Sequence, residues 1–271
     1  MTRGIGGIDA IQGTLPAGAG DVLALLTQLG DVWLLIVVLS LVYWFRARQP
    51  GAYAIMALLG GLALVVGLKA FFGLPRPPSM LRLVVVDGFG FPSGHAIAAT
   101  VGWGVLALVL DEPDRRVRVG GAAAIVAVVA FTRVGLGVHY VVDVIAGIAI
   151  GLAYLGSVWA IAGREPERAG VIAAVVAFIG LLLSGGASDA VLLFGGVLGG
   201  LLTWRYTEVP HQPWRRDGVL PATVGGGVVG GTLVVGYGGP LLTPIAFLLG
   251  LVSVAIVIGL PAISEGIDGI G

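Results

Sequence analysis

Three short motifs place basic and histidine side chains at intervals along the first half of the chain. Lys69 is followed after six residues by an Arg-Pro pair that begins at Arg76, residues 92–95 are Pro-Ser-Gly-His, and residues 132–143 are TRVGLGVHYVVD. Charged groups near a bilayer are costly and usually functional, so Lys69, Arg76 and Arg133 indicate an anion site. A phosphoryl group fits, because guanidinium forks and a lysine point charge match its oxygens.

Ser93 and Gly94 stand immediately before an apolar run that we expect to be helical. Backbone N–H groups at a helix N-terminus can bind an anion, and the helix dipole favours negative charge there. Gly94 also lets the backbone approach a ligand closely. The sequence therefore predicts Ser93 and Gly94 as further phosphate contacts.

His139 and Asp143 are four positions apart, so they share one face if a helix begins there. Asp143 can accept the proton of one ring nitrogen, which leaves the other nitrogen free to attack phosphorus. His95 can then protonate the leaving alkoxide and later take a proton from the hydrolytic water. The three cations would stabilise charge on the equatorial oxygens in the transition state.

Each motif alone has a simpler explanation. Arginines at helix ends often extend towards lipid headgroups, Pro-Ser-Gly is common turn chemistry, and a His-x3-Asp pair can be a structural contact between helices. We favour the functional interpretation because two of the three histidines and the only lysine fall together with two arginines and an aspartate. The third histidine, His211, is predicted to be solvated surface in a cytoplasmic loop.

The elements that must position these residues are membrane helices. Of the 271 residues, 57% are hydrophobic and 11% charged, whereas soluble domains are about 25% charged. We therefore predict an all-α, polytopic transmembrane helix bundle in a lipid bilayer. Apolar runs of about 17–25 residues predict spans. Eight or nine such runs, several of them short, occur at approximately 31–46, 51–70, 94–110, 119–133, 139–162, 170–184, 189–204, 222–238 and 241–260. Residues 19–29, bounded by Asp21, Gly30 and Asp31, are predicted to form an interfacial helix.

The distribution of arginines predicts the orientation. Basic residues mark cytoplasmic connections, and ten of the fourteen arginines fall in alternate connections between the predicted spans. These are Arg46, Arg48, Arg115, Arg116, Arg118, Arg164, Arg168, Arg205, Arg215 and Arg216. All three motifs then lie on the other side, so we expect the active site on the non-cytoplasmic face of the plasma membrane. The N-terminal residues lack a basic region followed by an apolar core, so no cleaved signal peptide is expected.

Composition also excludes several classes of function. The net charge is zero, which gives no electrostatic basis for a nucleic-acid partner. The chain has no cysteine, which excludes disulfides, thiolate nucleophiles and cysteine-based metal sites.

The ordered set of motifs resembles the signature of the type 2 phosphatidic acid phosphatase superfamily: Lys-x6-Arg-Pro, Pro-Ser-Gly-His and Ser-Arg-x5-His-x3-Asp. That superfamily includes lipid phosphate phosphatases, undecaprenyl diphosphate phosphatases, glucose-6-phosphatase and the soluble vanadium haloperoxidases. The resemblance covers about residues 20–162. One departure is Thr132, which stands where the signature has serine but keeps the hydroxyl.

The resemblance implies a role for each motif residue. Lys69, Arg76 and Arg133 would bind phosphate with help from Ser93 and Gly94, while His95 would be the general acid and base, His139 the phosphohistidine nucleophile and Asp143 its partner. The implied reaction is hydrolysis of a phosphatidate-type phospholipid or an isoprenyl mono- or diphosphate, without metal or cofactor.

The resemblance also implies a six-span catalytic core, which we assign to residues 1–184. Residues 185–271 then form a C-terminal extension of about three spans that carries no motif. This extension could enlarge the bundle, form a lipid-access groove or build the interface of a homo-oligomer.

Three alternatives remain at this point. A lipid phosphotransferase would use the same phosphohistidine and differ only in its acceptor. An anion transporter would carry charges deep within broken helices at mid-membrane, whereas here the charges lie at predicted helix ends. Vanadate-dependent peroxidase chemistry is disfavoured, because those relatives are soluble.

Overall fold

The structure is a computed structural model that describes residues 5–16, 18–207, 219–237 and 242–268. Within these ranges every regular element is a helix, which confirms the predicted all-α class. The helices are α1 Ile5–Gln12, α2 Ala19–Leu26, α3 Val32–Phe45, α4 Arg48–Phe72, α5 Gly94–Val109, α6 Arg115–Gly135, α7 Val141–Ala162, α8 Pro166–Leu183, α9 Ser188–Tyr206, α10 Val219–Tyr237 and α11 Thr243–Asp268. Each of the predicted spans corresponds to one of the helices α3 to α11. His211 lies outside the described residues.

Several of these helices are long and apolar enough to cross a membrane. Among the described residues, α4, α6, α7, α8 and the Thr243–Ile263 part of α11 meet this condition individually. Residues Ala19–Gly30 and α3 meet it together, as two halves bent by 45°. The predicted interfacial helix at 19–29 is therefore the first half of a bent pair. This set of helices makes the chain a multi-pass membrane protein.

The chain divides into two compact units. The first comprises the described residues up to Leu35 together with Leu68–Gly156, and the second comprises Ile36–Gly67 together with the described residues from Ser157 onward. Every candidate site residue lies in the first unit. The predicted domain boundary at residue 184 stays a prediction.

Buried apolar side chains join α1, α5, α6 and α7 in the first unit. The cluster consists of Ile8, Ala96, Val134, Tyr140 and Val144. A side-chain amide adds to this packing, because Gln12 Nε2 donates to the carbonyl oxygens of Leu81 at 2.9 Å and Gly135 at 3.0 Å. The N-terminal helix thus ties the α4–α5 loop to the end of α6.

The second unit relies on close approach of helix backbones. A Cβ on Gly199 of α9 would lie 2.0 Å from the Leu251 carbonyl oxygen of α11, and a Cβ on Gly250 would lie 2.0 Å from the Leu192 oxygen. Small residues of this kind let membrane helices pack at short distance. The glycine content of the C-terminal half therefore has a direct packing role.

Candidate active site

The turn between α6 and α7 positions His139. Gly137 has φ +69°, and a Cβ there would lie 1.9 Å from the Leu81 carbonyl oxygen, so only glycine fits. The N–H groups of Val138 and His139 both donate to the Arg133 carbonyl, at 3.2 and 3.3 Å. The candidate nucleophile is thereby fixed to the end of the helix that carries Arg133.

The structure brings His139 and Asp143 together in the interior. α7 begins at Val141, so His139 precedes the helix instead of starting it as the predicted span 139–162 implied. His139 Nδ1 lies 3.7 Å from Asp143 Oδ2, and the two side chains are 1% and 0% exposed. This separation is longer than the predicted hydrogen bond. The same carboxylate oxygen accepts the Tyr140 N–H at 3.0 Å, which holds it at the start of α7.

Arg76 contacts the other nitrogen of the His139 ring. Its Nη1 lies 3.1 Å from His139 Nε2, and its Nε donates to the carbonyl oxygens of Asp87 and Gly88 at 3.1 and 3.2 Å. A guanidinium has no acceptor atoms, so Nε2 must be the acceptor. We therefore assign the ring proton to Nδ1, on the side of Asp143. This is the tautomer expected of an attacking imidazole.

The surroundings of His139 favour its neutral form. Burial lowers the pKa of His139 well below the ordinary 6.5, and the positive charges of Arg133, Arg76 and Lys69 lower this pKa further. The unprotonated imidazole is the form that can attack phosphorus. Lys69, in the last turn of α4, contributes its charge to the same region.

The start of α5 carries the Pro-Ser-Gly-His motif. Ser93 is the N-cap, and its Oγ accepts the Ala96 N–H at 3.5 Å. The Ser93 side chain is fully buried, and its N–H donates to the Asp143 carbonyl at 3.0 Å. In this structure the Ser93 N–H therefore joins α5 to α7, and the predicted contact of Ser93 with phosphate stays a prediction. Gly94 is partly exposed, and the His95 side chain is 28% exposed.

Arg133 is a buried cation in the last turn of α6. It is 5% exposed, and its Nη1 donates to Thr27 Oγ1 at 2.9 Å. Its Nε has no hydrogen-bond partner among the described residues. The neighbouring Thr132 directs its hydroxyl to the Val129 carbonyl at 2.7 Å, so that hydroxyl serves the helix itself.

Two residues of the N-terminal region complete this arrangement. Besides the Thr27 contact to Arg133, Asp31 Oδ2 lies 3.8 Å from His95 Nε2. From the sequence, Asp31 was interpreted only as the end of an apolar stretch. Its place in the site could have been suspected because a single carboxylate within a long apolar region is costly unless it has a partner.

Within the described ranges, no group of three or more His, Asp or Glu side chains is arranged to hold a metal ion.

A family model for the PAP2 superfamily matches residues 50–167. Residues 50–167 of this chain therefore form a PAP2 superfamily segment. The matched segment contains all three motifs, and the helices described above make the chain a multi-pass membrane protein. Thr27 and Asp31 lie outside the matched segment.

Among solved structures, a transmembrane PAP2-type phosphatidylglycerolphosphate phosphatase from Bacillus subtilis is similar to this chain. The two are 25% identical, the match covers 58% of this chain and 85% of that chain, and the TM-score is 0.47. A search of curated proteins finds no match.

Proposed function

We propose that this protein hydrolyses a lipid phosphate through a phosphohistidine intermediate on the non-cytoplasmic face of the plasma membrane. The observation that carries the proposal is the placement of His139, whose buried ring has Nε2 at 3.1 Å from Arg76 Nη1 and Nδ1 at 3.7 Å from Asp143 Oδ2. Asp143 on the opposite side of the ring would stabilise the positive charge that develops there as Nε2 attacks.

The reaction has two steps. In the first, His139 Nε2 bonds to phosphorus while the bond from phosphorus to the lipid oxygen breaks, and His95 gives that oxygen a proton. In the second, water attacks phosphorus, His95 takes a proton from the water, and the phosphorus–nitrogen bond breaks to release phosphate. A phosphate oxygen would accept the hydrogen bond that Arg76 now gives to His139, which frees Nε2 for attack.

Three cations and one amide would bind the phosphoryl oxygens. Arg133 supports this assignment, because a buried guanidinium nitrogen without a protein partner is unusual and suits an external anion. Lys69 and Arg76 add charge to the same region, and the partly exposed start of α5 at Gly94 offers a backbone donor.

An apolar groove supports a lipid over a soluble sugar phosphate. It has a volume of about 480 Å³ and lies between α5, α6 and α7. Its lining begins at Thr100, Ala127 and Ile148. These residues are five or six positions from His95, Arg133 and Asp143 respectively, which is roughly 8–9 Å along a helix. A chain lying in this groove would keep its phosphate near the histidines.

The deciding experiment is phosphate release by purified protein in detergent with EDTA present. The panel contains phosphatidic acid, phosphatidylglycerol phosphate, isoprenyl diphosphates and glucose 6-phosphate, each with and without vanadate. We expect vanadate-sensitive release from at least one lipid in EDTA, and little from glucose 6-phosphate. Absence of release from every lipid by folded protein would overturn the hydrolase proposal. Labelled acceptor alcohols would then test transfer.

A further inference from the structure

We propose that Asp31 is a positioning residue for His95, and that residues 27–31, the N-terminal turn, are a working part of the active site. Asp31 would hold the His95 ring in orientation and favour its protonated form while the lipid oxygen leaves. The inference rests on the proposed phosphatase function and adds a residue that lies outside the family match.

Hydrogen bonds fasten the N-terminal turn to the helices that carry the motifs. At one end, Thr27 Oγ1 accepts from Arg133 Nη1 of α6 at 2.9 Å. In the middle, the Leu29 carbonyl accepts from Trp103 Nε1 of α5 at 2.7 Å. These contacts come from two different helices, so the position of the turn is set by the same elements that set the site.

Close packing at Gly30 brings the carboxylate of Asp31 to the histidine. A Cβ on Gly30 would lie 2.7 Å from Val129 Cγ1 and 3.1 Å from the His95 carbonyl oxygen. No larger side chain fits there without displacing α5 or α6. The next residue, Asp31, consequently has its Oδ2 at 3.8 Å from His95 Nε2, with 21% of its side chain exposed.

The charges around His95 explain why a carboxylate is needed there. Burial acts against a charge on His95, and the positive groups of α6, α4 and the α4–α5 loop add to this effect; they are Arg133, Lys69 and Arg76. These groups oppose a proton on His95, yet a general acid must carry one. A bound phosphoryl anion would offset part of this positive charge. Asp31 would attract the proton on Nε2 and leave Nδ1–H to face the leaving oxygen.

The role of Asp31 has a signature that a purely structural role lacks. The alkoxide of a lipid is a poor leaving group and needs a proton as the bond to phosphorus breaks. A nitrophenolate leaves without one. Loss of a residue that supports the general acid therefore slows alkyl phosphate hydrolysis more than nitrophenyl phosphate hydrolysis.

The test compares Asp31→Asn with wild type on two substrates that carry the same alkyl chain, an alkyl phosphate and a nitrophenyl phosphate. We expect kcat/KM, which reports only the step in which the leaving group departs, to fall roughly ten-fold or more on the alkyl phosphate. On the nitrophenyl phosphate it should fall by less than about three-fold, which would also show that the site is folded. Asp21→Asn is the matched control, because Asp21 lies on α2 and is exposed. It should behave like wild type on both substrates.

Equal losses on both substrates, or no loss on either, would overturn the role of Asp31. In a His95→Ala background the Asp31→Asn change should cause no further loss, because two groups that act together are not additive. Asp31→Glu, which keeps the carboxylate, should recover part of the alkyl phosphate activity. Asp31→Ser supplies the same comparison if the asparagine variant does not fold. Inactivity of the wild type on both substrates would instead overturn the proposed function.

Discussion

Within each of the two units a different kind of contact is prominent. In the first, polar side chains join segments that are far apart in sequence, as Gln12 does with Leu81 and Gly135 and as Thr27 does with Arg133. In the second, side chains also make such bonds, as Tyr43 Oη does to the Ile258 carbonyl at 2.6 Å, but α9 and α11 approach each other through glycine, as at Gly199. Charges near a bilayer need partners, whereas glycine contacts need only complementary shape. A substitution of a site residue in the first unit should therefore lower the catalytic rate. A substitution of a contact glycine in the second should lower the thermal stability.

The largest effect should come from the proposed nucleophile. His139→Ala should lower kcat roughly 10⁴-fold or more while the protein stays folded, because no covalent intermediate can form. Phosphate release and circular dichroism measure the two properties. His211→Ala, at the histidine outside the motifs, is the control and should keep full activity. Substantial turnover by His139→Ala would refute the nucleophile assignment.

A smaller loss is expected when the fork of Arg133 is replaced by a point charge. Arg133→Lys should lower kcat/KM roughly 100-fold, since lysine cannot replace two directed donors. Arg205→Lys is the matched control in the second unit, where Arg205 makes an exposed ion pair with Glu167 at 3.4 Å. That variant should be unchanged. Unchanged kcat/KM in Arg133→Lys would mean that Arg133 serves only to anchor α6.

The second unit should respond in stability instead of catalysis. Gly199→Ala places a Cβ 2.0 Å from the Leu251 carbonyl oxygen, so the two helices must separate, at a cost of about 1–3 kcal/mol. We expect a lower Tm in detergent with kcat preserved below the transition. Gly226→Ala is the control, because nothing lies within 4 Å of a Cβ there. Equal Tm values for the two variants would contradict the packing role of Gly199.

The smallest effect concerns the pH profile. Burial lowers the pKa of His139, and nearby positive charge lowers it further. We therefore expect kcat/KM to stay high below pH 6.5 and to fall only as the pH drops through that lowered pKa. Arg76→Gln removes one charge, which raises the pKa of His139 and moves the acid limb to higher pH. Arg76→Lys keeps the charge and should leave the limb in place. Substrate ionisation affects wild type, Arg76→Gln and Arg76→Lys equally. If the acid limb of the kcat/KM profile lies at the same pH in all three, this electrostatic role of Arg76 is contradicted.

The helices and the motif residues could be predicted because their signals are local. Long apolar runs predict helices whatever their neighbours, and the spacing of His139 and Asp143 already places them near each other. The geometry of the turn between α6 and α7 could not be predicted in the same way. The left-handed Gly137, which makes α7 begin at Val141, is fitted to the Leu81 carbonyl more than fifty residues away.

The contacts of Asp31 and Thr27 could not be predicted from the sequence for a related reason. Each is a single polar residue in an apolar region, with a partner that only the fold supplies. The same applies to the Ser93 N–H, which donates to the Asp143 carbonyl. A helix N-terminus considered alone gives no sign that α7 occupies this donor.

The hydrogen bond between Thr27 and Arg133 also implies an order of events during synthesis of the chain. Its two partners are 106 residues apart, and ribosomes add about 5–20 residues per second. Roughly 5–20 s therefore separate the synthesis of the N-terminal turn from that of its partner helix. During that interval the insertion machinery handles a segment with an unsatisfied threonine and a carboxylate. The proposed catalytic centre is consequently completed only near the middle of translation, when α6 and the following turn and start of α7 have been synthesised.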